Sequence, residues 1–90
     1  MAGDLYDLDI GPDELSGVKQ WVRIEVVEHY VDQFNRIKMR FRAVGGGRTN
    51  VPRWRDWPTL VFDVSVVKSM MDVGQLIPCV SDAVGEPSMT

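Results

Sequence analysis

The most regular alternation of polar and hydrophobic positions in the chain lies at residues 36–42, RIKMRFR. Successive side chains of a β-strand point to opposite faces of a sheet, so this pattern predicts a strand with two unlike faces. The inward positions would be Ile37, Met39 and Phe41. The outward positions would form a row of four cations, Arg36, Lys38, Arg40 and Arg42, which we call the basic row.

A second long strand is predicted immediately before it, at residues 18–31, because VKQWVRIEVVEHYV is rich in Val, Ile, Trp and Tyr. Two adjoining apolar residues, Val26 and Val27, interrupt its alternation and indicate a β-bulge. The intervening DQFN, residues 32–35, predicts the turn of a hairpin. The register that keeps the apolar side chains on one face pairs Val26 with Phe41 and Glu25 with Arg42, and it places His29 beside Lys38.

A third strand is predicted at residues 60–67, LVFDVSVV, beside the basic row. In that position Asp63 would neutralise one cation of the row. The inward side chains of this strand would be Phe62, Val64 and Val66. Before it, Pro52 and Pro58 bracket a segment that excludes both a central strand and a regular helix.

Residues 68–80, KSMMDVGQLIPCV, fit two patterns. We favour a strand, a turn and a further strand. The alternative is a short helical turn that Ser69 caps and Gly74 ends. Both patterns are compatible with so short an apolar run.

The fold class that these elements predict is mainly β: a small antiparallel sheet of four to six strands curled into a barrel or half-barrel. A flat sheet of this size does not cover its own apolar face. The single β domain is expected at 18–80 and a polar tail at 81–90. Residues 1–17 alternate acidic and apolar side chains, and they predict an extended arm that lies across its own domain or, alternatively, becomes ordered on a partner. The contacts of that arm would come from Leu5, Tyr6, Leu8 and Ile10.

Length and composition indicate one small domain of 90 residues. No apolar run is long enough to span a bilayer, and the acidic N-terminus does not resemble a secretory signal. The one cysteine, Cys79, has no partner for an internal disulfide. We therefore expect a cytoplasmic protein without a membrane partner.

Charge is unevenly distributed along the chain. The net charge is −3, yet residues 36–55 hold seven of the ten Lys and Arg residues and no acid. The preceding residues, 1–35, hold eight acids and two bases. A locally basic segment in an acidic chain indicates a binding surface more than a catalytic one.

Catalysis is not predicted. One Cys and one His, Cys79 and His29, offer neither a zinc-ligand spacing nor a nucleophile motif, and the glycines at 45–47 lack the phosphate-loop pattern. We expect no catalytic residue, no metal, no cofactor and no small-molecule substrate.

The function that remains is a non-enzymatic binding or assembly module, a small structural or adaptor subunit of a multi-protein assembly such as a virion or phage particle. Its partner would be another protein or copies of itself, because Arg and Trp are enriched among interface hot spots. The alternative is a single-stranded nucleic-acid-binding barrel, with phosphates on the cations and bases stacked on tryptophan. Both hypotheses use one surface, formed by Arg36, Lys38, Arg40, Arg42, Arg48, Arg53, Trp54, Arg55 and Trp57.

Overall fold

The computed structural model describes residues 3–46 and 54–79, which form five strands, one α-helix and a turn of 3-10 helix at Trp54–Asp56. The strands are β1 (Leu5–Pro12), β2 (Lys19–Val31), β3 (Ile37–Gly45), β4 (Leu60–Asp63) and β5 (Leu76–Pro78), and the helix is α1 (Val64–Asp72). They build one antiparallel sheet in the order β4-β3-β2-β1-β5. The mainly β prediction is therefore confirmed.

The predicted barrel is wrong, because β4 and β5 lie at opposite edges of an open sheet. The chain passes from one edge to the other through α1, which packs Val67 and Met70 onto the apolar face. A helix thus covers the face that a curled sheet would have covered itself. The core consists of Leu8, Val22, Ile24, Val26, Met39, Phe41, Val67, Met70 and Leu76.

The β2–β3 hairpin follows the predicted register as far as the predicted bulge. Val26 lies opposite Phe41 and Glu25 opposite Arg42, and the register then shifts by one residue at Val27. Beyond the bulge, every residue of β2 is paired one position away from its predicted partner. The predicted pairing of His29 with Lys38 is consequently wrong, since His29 lies opposite Met39.

The turn of this hairpin is organised by Asp32. Its Oδ1 accepts hydrogen bonds from the backbone N–H groups of Phe34 and Arg36, both at 2.9 Å. These bonds, chiefly the one from Arg36, lower the pKa of Asp32. Asn35 supplies the left-handed residue of the turn, with φ of 62°, a conformation that asparagine tolerates better than most residues.

Residues 5–12, within the predicted arm, are not separate from the domain. They form β1, which lies between β2 and β5. Leu8 is part of the core, Tyr6 and Ile10 pack against it, and Leu5 is half-buried on the other face. The alternation that suggested an arm is the alternation of an inner strand, with even-numbered side chains matched to the apolar side chains of β2.

The predicted strand at 60–67 is correct only to Asp63, because residues 64–72 are helical. Val64 and Val66, predicted to be inward, are exposed, whereas Val67 and Met70, three positions apart, are buried. Gly74, with φ of 77°, lies just beyond the helix, and the favoured strand-turn-strand interpretation holds only for β5. No helix in the described part of the chain is long and apolar enough to cross a membrane.

Candidate functional site

The face of the sheet opposite α1 is lined by charged side chains, and we call it the charged face. Alternation along β1, β2 and β3 produces it, because each core residue of these strands has at least one charged neighbour in sequence. Four pairs of direct cross-strand neighbours on this face join side chains of opposite charge. They are Asp7 with Arg23, Glu25 with Arg42, Glu28 with Arg40, and Lys38 with Asp63.

The basic row lies on this face as predicted, since Met39 and Phe41 are buried between its members. Each of its cations nevertheless has a carboxylate partner. Arg42 pairs with Glu25 at 2.9 Å, Arg40 with Glu28, Lys38 with Asp63, and Arg36 with Asp63 at 3.6 Å. Asp32 lies 3.8 Å from Lys38, so four carboxylates meet four cations.

The bulge at Val27 explains why the sequence analysis found only part of this pairing. By adding one residue to β2, it brings Glu28 opposite Arg40. The predicted neutralisation by Asp63 is confirmed, and the hydrogen bond with Asp63 is the main reason that the pKa of Lys38 is raised. The basic row is a run of positive charge in the sequence, but in the sheet each of its cations lies beside a carboxylate.

We expect the Glu25–Arg42 pair to help set the register rather than to supply much stability, since exposed ion pairs contribute little. Arg42→Glu places two carboxylates opposite each other and is expected to lower the free energy of unfolding by about 1 kcal/mol. Adding Glu25→Arg restores opposite charges and should recover most of that loss. Urea denaturation measures both effects. Lys68→Glu on the exposed side of α1 is the control, and a fully stable Arg42→Glu variant would contradict the pairing.

A more buried ion pair lies towards the β5 edge. The carboxylate of Asp7 is 3% exposed, and Arg23 donates to its two oxygens from Nε at 3.0 Å and from Nη2 at 3.3 Å. Two parallel bonds of this kind fix the guanidinium firmly. Sequence reasoning missed the pair because it assigned Asp7 to the arm. The signal available was the odd-numbered position of Asp7 in an alternating segment.

Cys79 follows β5 in the chain, and its backbone N–H donates to the carbonyl of Leu5 at 2.9 Å. Burial, and then the negative charge of Asp7, raise the pKa of its thiol. A raised pKa keeps the sulfur protonated and disfavours nucleophilic chemistry. His29 is exposed near the hairpin turn, at the C-terminal end of β2, and lies opposite Met39.

The two tryptophans of the predicted binding surface pack against the core. Trp54 and Trp57 are half-buried and pack against the core cluster. Arg55 is exposed, with its guanidinium carbon 4.4 Å from the centroid of the Trp54 ring, in cation–π geometry. These contacts occupy ring surface that stacked bases would need. Arg48 and Arg53, and the tail at 81–90, lie outside the described residues.

The sequence analysis did not identify an exposed apolar cluster at the end of the β2–β3 hairpin. Val31 is 60% exposed, Phe34 71% and Ile37 54%, and we call these three residues the hairpin patch. Val31 and Ile37 are direct cross-strand neighbours, and Phe34 lies in the turn between them. The available signal was an aromatic residue in the DQFN turn, where a polar residue would be usual.

Beside the hairpin patch, an open groove of about 570 Å³ separates the hairpin from the start of α1. Its lining combines apolar and charged side chains: Asn35, Arg36, Ile37, Asp63, Val64 and Ser65. A clustered apolar surface with a polar rim is typical of an interaction site. This arrangement suits the binding of another surface better than a chemical reaction.

Among the residues that the structure describes, no three His, Cys, Asp or Glu side chains are grouped so that they could hold a metal ion.

No protein-family model matches the chain, and the comparisons with curated proteins and with solved structures likewise find no match.

Proposed function

We propose that this protein is a non-enzymatic binding module, a small structural or adaptor subunit that assembles with other protein chains. The observation that carries the proposal is the hairpin patch, in which three large apolar side chains are each more than half exposed. Single exposed apolar residues are ordinary, but three of them at one end of a hairpin are typical of a contact surface. The hairpin patch thus replaces the basic row as the expected centre of the interface.

The charges around the hairpin patch favour a protein partner over a nucleic acid. Binding of a phosphate backbone draws its affinity from unneutralised cations that release counterions. Arg36 and Lys38, the cations of the basic row closest in sequence to the hairpin patch, share the carboxylate of Asp63. A rim of mixed charge around apolar residues instead resembles the anatomy of protein interfaces.

The settings of Cys79 and His29 support a role without catalysis. The raised pKa of Cys79 disfavours a thiolate, and burial beside Asp7 is its cause. His29 lies exposed opposite Met39, which has no proton to exchange with it. Nucleophilic catalysis would need a general base within hydrogen-bonding distance of the nucleophile.

Site-specific photocrosslinking in the cells that express the protein tests this function. A benzophenone side chain at position 34 is expected to crosslink to protein, either another chain or a second copy, because Phe34 lies in the hairpin patch. The matched control places the same group at position 68, which is exposed on α1. A protein crosslink at 34 no stronger than that at 68 would overturn the proposal.

A labelled single-stranded oligonucleotide tests the alternative. At low salt we expect no saturable binding, since the described cations of the basic row are paired. Tight binding that weakens steeply with added salt would instead support the nucleic-acid hypothesis.

A further inference from the structure

β2 continues beyond the end of β1, the strand that pairs with it along one edge. The N–H of Gly3 donates to the carbonyl of Val26 at 2.8 Å, and the N–H of Val26 donates to the carbonyl of Asp4 at 2.9 Å. β1 covers β2 up to this point. Residues 27–31 extend further, and of these 28–31 pair with β3 on one side only, as far as the described residues show. We call this stretch the free edge.

The backbone groups that the free edge presents follow from the hairpin ladder. The N–H of Asp32 donates to the carbonyl of Arg36 at 2.9 Å, so the backbone of Asp32 is directed towards β3. Bonding alternates along an antiparallel strand, and Tyr30 is therefore directed towards β3 as well. His29 and Val31 direct their N–H and C=O groups away from β3. The free edge thus offers two donors and two acceptors.

The outer strands of the sheet carry features that discourage further pairing, and the free edge carries fewer of them, chiefly the bulge at Val27. β5 has three residues and ends in Pro78, while β4 has four and runs directly into α1. Short edges, proline and lysine are the usual protections of an edge strand. Residues 27–31 contain neither proline nor lysine, and their one acid, Glu28, pairs with Arg40.

We propose that the free edge pairs with the free edge of a second copy of this chain, antiparallel about a two-fold axis. The proposal rests on the protein-assembly function and names the partner. An antiparallel arrangement sets His29 of one copy against Val31 of the other, and the reverse. Each such pair exchanges two backbone bonds, so all four groups of each edge are used. A two-fold contact of this kind closes on itself and yields a dimer.

The side chains are compatible with this arrangement. Val31, which is exposed in the single chain, gains His29 of the second copy as a cross-strand neighbour. Tyr30 lies on the axis and faces its own counterpart. Glu28 comes opposite Asp32 of the second copy, but each of these carboxylates already has a cation near it, Arg40 and Lys38 respectively.

Val31→Pro provides the test. Proline lacks an N–H, and the N–H of Val31 is directed away from β3, so the hairpin ladder is retained while the pairing of the free edge is blocked. By sedimentation over a range of concentrations, the wild-type chain should dimerise, and the variant should dimerise at least tenfold more weakly. Val31→Lys should have the same effect without constraining the backbone, which keeps the test valid if the proline variant does not fold.

Two results would overturn the dimer. One is a wild-type chain that stays monomeric at every concentration, and the other is a dimer that persists undiminished in Val31→Lys. Neither result alters the photocrosslinking test at position 34, where capture of a different protein would leave the proposed function standing. A dimer weakened by both Val31 variants but not by Phe34→Lys supports the free edge as the contact, because Phe34 lies in the hairpin patch but outside the free edge.

Discussion

Replacing Phe41 by alanine is expected to lower the free energy of unfolding by about 3–5 kcal/mol, a large part of the stability of a domain of this size. Phe41 is fully buried at the centre of the apolar face. Its ring centroid lies 6.1 Å from that of Tyr6, in edge-to-face geometry, and 5.9 Å from that of Phe62. The substitution therefore removes contacts to two strands and leaves a cavity beneath α1.

Equilibrium denaturation in urea measures this loss, with the slope of the transition showing whether unfolding stays two-state. Val66→Ala is the matched control. It also removes apolar volume, but from an exposed helical position where alanine has the higher helix propensity. We expect the control to change stability by no more than about 0.5 kcal/mol. A similarly small loss for Phe41→Ala would contradict its place in the core.

The second large effect concerns the buried ion pair. Arg23→Met is expected to cost about 3 kcal/mol, because it leaves the carboxylate of Asp7 buried without the guanidinium that neutralises it. The value is at the lower end for such pairs, since the side chain of Arg23 is partly exposed. The methionine retains much of the apolar volume, so the loss reports mainly on charge.

A double-mutant cycle separates charge from packing. Adding Asp7→Leu to Arg23→Met removes the buried carboxylate and should recover part of the loss, because replacing a whole buried pair by apolar residues costs less than breaking it. The four proteins are compared by urea denaturation at neutral pH. If Arg23→Met is as stable as the wild type, or if the second substitution only adds to the loss, the pair does not have the role assigned to it.

Strand pairing explains why the charge along the sequence was a poor guide to the charge on the surface. Along the chain, the acids of residues 1–35 and the cations of 36–55 form separate blocks. In the sheet, antiparallel pairing brings these blocks together, and the charged face is balanced locally. The hairpin patch and the free edge, which have little charge of their own, became the stronger candidates for contact.

Local pattern determined the β2–β3 hairpin. The alternation around Phe41 decided which side chains point inward, and the doublet Val26-Val27 located the bulge. These features depend on neighbours in sequence or on one short turn, where period and register are physically linked.

Only the tertiary structure decided the rest. Residues 64–67 continue the alternation of a strand and residues 68–72 fit either pattern, but the apolar face of the sheet selected a helix over 64–72 by burying Val67 and Met70. β1 became an inner strand because β2 and β5 offered pairing on both sides, and β5 is some seventy residues away in the chain, a distance that no local pattern spans. The predicted hairpin is therefore present in the structure, but the pairing of Arg36 and Lys38 with Asp63 and the free edge of β2 depend on where the neighbouring strands lie and end.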